Sequence, residues 1–210
     1  MINATRRDSA RPLRPSEATS PSPALAPQVK GLAFRTTMSQ VVRLCGADVA
    51  ERATSALPAE LRDALGGGHL LVSGWYPIDW YKAMFRAICN ASQGGPGLVR
   101  AIGHDALVAD TSTLHRPLLR LLSPATLTSL GARYFGRFYN RGSYSVVSSE
   151  EQKIALQFVD CAGFDRNMWL EVLGSMEAFV ELSGRRDVRA YTRGGAGDED
   201  DWANVVACWH

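Results

Sequence analysis

The spacing of hydrophobic residues changes at Gly142, and this change constrains the fold more than any other feature. Through residues 30–141, apolar side chains recur every three to four residues, as in amphipathic helices. Through residues 153–160 they alternate with polar ones, as on one face of a strand. Helices followed by strands are typical of an α+β domain. We predict one such domain, with a helical part at 30–141 and an antiparallel ββαββ part at 142–210.

The same spacing and the breaker residues place the individual elements. Helices are expected at 38–44, 48–57, 78–90, 98–108, 113–122 and 123–140, and another short one has Pro58 in its first turn and is stopped by Gly66-Gly67-Gly68. A short extended piece is expected at 69–72. In the second part, strands are expected at 143–147, 153–160, 188–192 and 202–209, with a helix at 166–182. Ser123 and Asp165 are the expected N-caps, and residues 148–152 the expected hairpin connection.

The first 29 residues differ in composition from the rest of the chain. They hold five of the ten prolines and no aromatic residue, so they cannot bury enough apolar surface to offset their chain entropy. We predict a disordered tail at 1–29. The tail also carries four of the 23 basic and two of the 21 acidic residues, which leaves 19 of each in the body. A neutral body gives no reason to expect a nucleic-acid partner.

The sequence predicts a soluble, cytoplasmic protein. No apolar run follows the early arginines as in a secretory signal, and none elsewhere approaches the length of a membrane span. The prolines also oppose the amphipathic helix of an Arg/Ser-rich transit peptide, which is the alternative. The four cysteines form no CxxC pair, which favours a reduced compartment over a disulfide scaffold.

No catalytic residue and no metal site is expected. The chain has no GxSxG, HExxH, GxxxxGK[ST] or GxGxxG motif. The acidic run at 198–201 does not match an EF-hand and is typical of a solvated hairpin tip. Cys208 and His210 share one face of a strand, but no further ligand is spaced to complete a zinc site.

Three arginines at four-residue intervals are the candidate ligand-binding residues. Arg133, Arg137 and Arg141 would form one basic stripe on the helix predicted at 123–140, beside aromatic stripes. Such a stripe can hold a phosphate or carboxylate group. The alternative is an amphipathic helix with its aromatic residues in the core and its arginines in water.

His115 is the candidate cofactor-binding residue. It lies near the start of the helix predicted at 113–122, among leucines. A neutral imidazole on an apolar helix face can be an axial haem ligand. A structural or exposed histidine is the alternative.

The order of elements resembles a known superfamily. It contains haem nitric-oxide/oxygen-binding domains, four-vinyl-reductase domains and ligand-binding domains of vesicle-transport particles. Cys45-Gly46-Ala47-Asp48-Val49 resembles the opening of the haem-binding domains, and the stretch from Trp80 to Gly103 resembles their helix and glycine break. The resemblance implies a proximal role for His115. The chain is also similar to a family of about this length expanded in myxobacteria, through Trp75-Tyr76-Pro77 and Gly136-Arg137-Phe138-Tyr139.

One departure from the haem-binding domains bears on the cofactor. Those domains hold the haem propionates with a Tyr-x-Ser-x-Arg clamp, and this chain has Phe158-Val159-Asp160-Cys161-Ala162 in the corresponding stretch. An aspartate there would repel propionates. The resemblance thus leaves haem open as a cofactor, and the missing clamp argues against it.

Three hypotheses for function follow. The first is a non-enzymatic, cytosolic module for signalling, small-ligand sensing or protein interaction, with a protein or small-molecule partner. The second is a haem-based gas or redox sensor with His115 as proximal ligand. The third is an enzyme acting on a small anionic substrate near the arginine stripe, with His104 or His115 as general base.

Overall fold

The computed structural model describes residues 26–111, 121–198 and 200–210. The helices in these ranges are α1 (Gly31–Cys45), α2 (Ala47–Ser55), α3 (Ala59–Gly66), α4 (Ile78–Ser92), α5 (Gly95–Asp110), α6 (Pro124–Phe135) and α7 (Arg166–Leu182). The strands are β1 (Gln28–Lys30), β2 (Trp75–Pro77), β3 (Ser143–Glu150), β4 (Lys153–Val159), β5 (Arg189–Gly195) and β6 (Ala203–Cys208). None of the described helices combines the length and apolar character needed to cross a membrane.

The predicted α+β fold is confirmed. Strands β3 to β6 form one antiparallel sheet in the order β3-β4-β6-β5, and β1 pairs with β2 in a separate two-stranded sheet. The alternation predicted for β4 is also found, since Ile154, Leu156 and Phe158 are buried. These three side chains form one face of the sheet and contribute to the core.

Helix α7 lies at the centre of the core, between α5 and the sheet. It begins at the predicted cap, where the Asp165 carboxylate accepts a hydrogen bond of 3.0 Å from the Met168 amide. Ten of its seventeen residues are buried, so little of its surface remains for polar side chains. Of its three acids, Glu177 is buried and Glu171 is half-buried, whereas Glu181 near the end of the helix is exposed.

Helices α5 and α7 approach each other closely enough for their backbones to touch. A Cβ atom at Gly103 would lie 2.8 Å from the carbonyl carbon of Glu171 and would overlap its oxygen. A Cβ atom at Gly174 would lie 2.9 Å from the amide nitrogen of His104. The Ser175 hydroxyl donates a hydrogen bond of 3.1 Å to the Gly103 carbonyl across the same crossing. Only glycine fits at these two positions.

The domain begins earlier than the sequence indicated. The predicted boundary assigned residues up to 29 to a disordered tail, but Gln28–Lys30 forms β1 and Val29 is fully buried. Val29 also forms a bridge to Tyr139, and the Asn140 side chain holds the Gln28 amide. These contacts are distant in sequence, so composition alone could not reveal them. The remainder of the predicted tail lies outside the described residues.

Other boundaries also differ from the predictions. Helix α6 ends at Phe135 rather than near Asn140, because Tyr139 pairs with Val29 and must be extended. Strand β3 continues to Glu150, past the start of the predicted connection, with an irregularity after Val146. The extended piece predicted at 69–72 is not a strand, and β2 follows it instead.

Candidate functional site

A small cavity lies between the helical part and the start of the sheet. Its volume is about 60 Å³, and it is bounded by α1, α4, α5, α6, α7 and β3. A single water needs roughly 10–15 Å³ on this scale, and an engineered cavity of ~150 Å³ binds benzene. The cavity therefore has space for a molecule of a few non-hydrogen atoms. The described residues that line it are Ala33, Thr36, Thr37, Tyr81, Ala106, Leu107, Asp110, Gly131, Tyr134, Phe135, Phe138, Tyr139, Tyr144, Glu171, Val172, Ser175, Met176 and Phe179.

Aromatic rings form much of the cavity wall. Tyr134 contacts Phe138 with ring centroids 4.9 Å apart and meets Phe179 edge-on at 5.9 Å. Phe135 contacts Tyr139 at 4.8 Å. Ring pairs at these separations add to the stability of the packing. The face of an aromatic ring carries negative electrostatic potential and attracts a cation that lies over it.

Glu171 places a carboxyl group at this wall. Its Oε2 accepts a hydrogen bond of 2.8 Å from the Tyr139 hydroxyl. Removal from water raises the pKa of Glu171 to about 7, the Tyr139 hydrogen bond opposes the rise, and nearby Asp110 adds to it. Among the described residues, no hydrogen bond reaches its other oxygen, Oε1, and no cation forms an ion pair with it. Glu171 thus exchanges its proton near neutral pH.

Asp110 is the second acid of the cavity. It accepts a hydrogen bond of 3.1 Å from the Tyr134 hydroxyl. Burial raises its pKa, while that hydrogen bond and the positive charge of Arg137 lower it in part. Arg137 also lies over the Tyr134 ring, 5.7 Å from its centroid. The Arg137 side chain is therefore close enough to Asp110 to stabilise its ionised form.

The remaining hydroxyl groups are bound to protein atoms. Tyr81 and Thr37 share a hydrogen bond of 2.8 Å, and Tyr144 donates one of 2.8 Å to the Thr128 carbonyl. Burial raises the pKa of Tyr81 and of Tyr139 well above the ordinary value, so both hydroxyls keep their protons at neutral pH. The two carboxyl groups are the cavity groups that can carry charge.

The three arginines singled out by the sequence do not form one helical stripe. Arg133 lies in the last turn of α6, whereas Arg137 and Arg141 follow the end of that helix. Arg133 and Arg137 are exposed and Arg141 is half-buried. Of the three, Arg137 is the one linked to the cavity, through Tyr134 and Asp110. His115 lies outside the described residues.

The other polar groups considered in the sequence have structural roles or none that we identify. Asp198 accepts a hydrogen bond of 2.9 Å from the Arg166 amide at the start of α7, and Asp200 one of 2.8 Å from the Gly197 amide. Cys208 is half-buried and His210 is exposed. Within the described ranges, no group of three or more His, Cys, Asp or Glu residues could hold a metal ion.

Sequence analysis missed both carboxyl groups of the cavity. Glu171 was hidden because an acid on an amphipathic helix is normally assigned to its solvent face. The available signal was the strongly apolar character of α7, on which even Glu177 is buried. Asp110 ends α5 and resembles an ordinary polar helix end. Only the fold brings these two residues together.

The fold is similar to that of several solved structures. An Fe(II) unliganded H-NOX protein from K. algicida aligns with a TM-score of 0.64 and 12% identity over 86% of this chain and 96% of that one. An H-NOX protein from S. oneidensis in the Fe(II) ligation state aligns at 0.62 and 12%, over 86% and 96%. An oxygen-binding H-NOX domain related to soluble guanylate cyclases aligns at 0.57 and 12%, over 86% and 94%.

These likenesses show that the chain has an H-NOX-like fold. At 12% identity they do not establish a shared ligand. No family model and no curated protein sequence matches the chain. The similarity to a family expanded in myxobacteria therefore stays a prediction.

Proposed function

We propose that this chain is a ligand-sensing domain with an H-NOX-like fold, and that its ligand is a small non-haem molecule held in the cavity between α5, α6 and α7. The cavity itself carries this proposal. It is apolar and aromatic, with two convergent carboxyl groups, Glu171 and Asp110. Apolar walls with a few placed polar groups are typical of small-molecule sites.

The described cavity does not fit haem. Its 60 Å³ is below the ~150 Å³ that holds benzene, and a porphyrin is far larger than benzene. No described lining residue is a histidine or a cysteine, and the lining tyrosine hydroxyls are engaged in hydrogen bonds. Glu171 and Asp110 would also repel the propionates. This combination of size, ligands and charge supports a different guest.

A cavity-filling substitution tests the proposal. We expect Ala106→Leu, which adds a larger side chain to the lining, to abolish binding of any guest in the cavity. The measurement is a melting-temperature screen with alcohols, ketones, carboxylic acids and amines of up to about four non-hydrogen atoms, because a ligand that binds only the folded state stabilises it. At least one class should raise the melting temperature of the parent chain and leave that of the variant unchanged. If none does, or if both respond equally, the cavity is not the binding site.

Haem-based gas sensing is the second candidate, and the structural neighbours favour it. One neighbour is the oxygen complex of an H-NOX domain, and another neighbour comes from work on haem distortion in the H-NOX family. Of the hypotheses drawn from the sequence, this alternative matches the neighbours better than a general ligand-sensing module. It requires an axial ligand from outside the described residues, and His115 is the candidate.

Reconstitution with haem decides between the two candidates. If haem binds through His115, the chain will show a sharp Soret band after haem addition and gel filtration, and His115→Ala will shift or remove it. Our proposal predicts no stoichiometric haem and the same spectrum for both proteins. His69→Ala is the matched control, since His69 is exposed and does not line the cavity. A one-to-one haem complex lost only in His115→Ala would contradict the proposal.

A further inference from the structure

The charges of the cavity indicate what kind of ligand it takes, an inference that rests on the proposed function. Glu171 and Asp110 both line a space whose remaining walls are largely apolar and aromatic. The described lining includes no lysine, arginine or histidine. Arg137, outside the lining, offsets only part of the charge of Asp110, so two acids are costly to hold in such surroundings. A guest with a positive charge would relieve this cost, whereas an anion would increase it.

A hydrogen-bond acceptor of Glu171 that no described residue uses also favours a cationic guest. The Tyr139 hydroxyl occupies one oxygen of Glu171, at 2.8 Å, and Oε1 accepts no hydrogen bond from the described residues. Tyr81 and Tyr144 are engaged with Thr37 and with a backbone carbonyl. The cavity thus offers an unused acceptor on an acid, which an ammonium group can fill with its N–H donors.

The aromatic walls add a second attraction for a cation. Tyr134, Phe138 and Tyr139 line the cavity on the side of α6 and the segment that follows it, and Phe179 lines it from α7. A cation over the face of such rings gains energy, and more when water is excluded. Within the described ranges, no cluster of three acid, His or Cys ligands could hold a metal ion, so an organic cation fits better than a divalent one.

We propose that the cavity binds a small organic ammonium ion, with Glu171 as its anionic partner, Asp110 as a second negative charge and the aromatic rings as its walls. The volume of about 60 Å³ restricts the guest to a few non-hydrogen atoms. Ethylammonium to butylammonium are therefore suitable probes.

Binding will depend on pH because the guest needs the ionised acid. The pKa of Glu171 is about 7, so it is partly protonated at neutral pH, and an alkylammonium ion keeps its charge well above that. The groups facing Glu171 are the Tyr139, Tyr81 and Tyr134 hydroxyls, which stay protonated because burial raises their pKa, and Asp110, whose charge Arg137 partly offsets. Affinity should rise about tenfold from pH 6 to pH 8 and then level off.

Titration of the full chain with n-propylammonium chloride, followed by NMR shifts at constant ionic strength, tests the inference. n-Propanol, a neutral molecule, and acetate, an anion, are the comparison ligands, because each has the same number of non-hydrogen atoms as n-propylammonium. We expect the ammonium to bind at least tenfold more tightly than either at pH 8. Glu171→Gln should weaken its binding at least tenfold and remove most of the pH dependence. Glu181→Gln, a change of the same kind on the same helix but outside the cavity, should alter neither.

Tyr139→Phe provides a second test of the inference if the Glu171→Gln variant is poorly folded. The Tyr139 hydrogen bond lowers the pKa of Glu171, so its loss should move the midpoint of the pH profile upward. Equal binding of ammonium and alcohol, both lost in Ala106→Leu, would overturn the ammonium inference and leave the ligand-binding cavity standing. Binding of acetate alone, or ammonium binding unchanged in Glu171→Gln, would also overturn it. No binding of any probe would overturn both the inference and the proposed function.

Discussion

Gly103→Ala is expected to lower the free energy of unfolding by about 3 kcal/mol or more, which corresponds to a fall in melting temperature on the order of 10 °C. The added methyl group would overlap the Glu171 carbonyl and lie 2.8 Å from its carbon. These are backbone atoms, so no side-chain rotation relieves the overlap. The two helices must move apart, and the core around α7 loses its packing.

The same substitution elsewhere on α5 provides the control. A Cβ atom at Gly97 meets nothing within 4 Å, and Gly97 is exposed. Alanine is favoured over glycine in a helix by about 1 kcal/mol, so Gly97→Ala should leave stability unchanged or raise it. Urea unfolding measures the change in the free energy of unfolding for each variant. A loss in Gly103→Ala together with a gain in Gly97→Ala would identify the helix crossing as the cause. A loss of under 1 kcal/mol for Gly103→Ala would show that the helices tolerate separation.

Arg100→Ala is expected to lower the free energy of unfolding by about 3 kcal/mol. This value lies near the lower end of the range of costs for removing one partner of a buried ion pair. Arg100 binds Glu177 through two hydrogen bonds, of 2.9 and 2.7 Å, and also donates to the Ala190 carbonyl. Glu177 in turn accepts a bond of 3.1 Å from the Ala190 amide. The side chain of Glu177 is only 9% exposed and that of Arg100 is 29% exposed, so the variant leaves a largely buried carboxylate without its partner.

This ion pair also covers an edge of the sheet. Strand β5 is terminal in the order β3-β4-β6-β5, and Arg100 and Glu177 bind both backbone groups of Ala190 on that strand. Arg100→Lys keeps the charge but loses the two-pronged geometry, so it should cost less than Arg100→Ala. Arg62→Ala is the control, because Arg62 is 46% exposed and its pair with Asp63 is long, at 3.8 Å. In urea unfolding, Arg100→Ala should lose the most stability, Arg100→Lys less, and Arg62→Ala the least. If the three variants lost equal amounts of stability, the ion pair would have no special role in covering the edge of the sheet.

Local patterns were sufficient to predict most of the elements. Asp165 caps α7 as expected, because an N-cap is a contact between near neighbours in the chain. The alternation of Ile154 and Leu156 placed β4 and its buried face. The errors occurred where a distant partner decides the conformation. Val29 is paired with residues of β2 and with Tyr139, and this contact orders a segment with the composition of a tail and ends α6 early.

The candidate site was harder to predict than the fold for the same reason. Its acids come from α5 and α7. Asp110 stands at a polar helix end, and Glu171 is a charged residue on an amphipathic helix, so both are normally assigned to the surface. The glycine contact that brings these helices together carries no recognisable motif, since a lone glycine inside a helix usually signals only lower helix propensity. The arginine spacing in 133–141 was more conspicuous, but α6 ends within it at Phe135.

The contact between α5 and α7 has a further consequence for how this domain can respond to a guest. At Gly103 and Gly174 backbone meets backbone, so no change of rotamer at these two positions can make room, and we expect this side of the cavity to be stiff. Helix α6 instead meets α7 through rings, as Tyr134 does with Phe179 at 5.9 Å. We therefore expect an entering molecule to displace these rings rather than to separate α5 from α7.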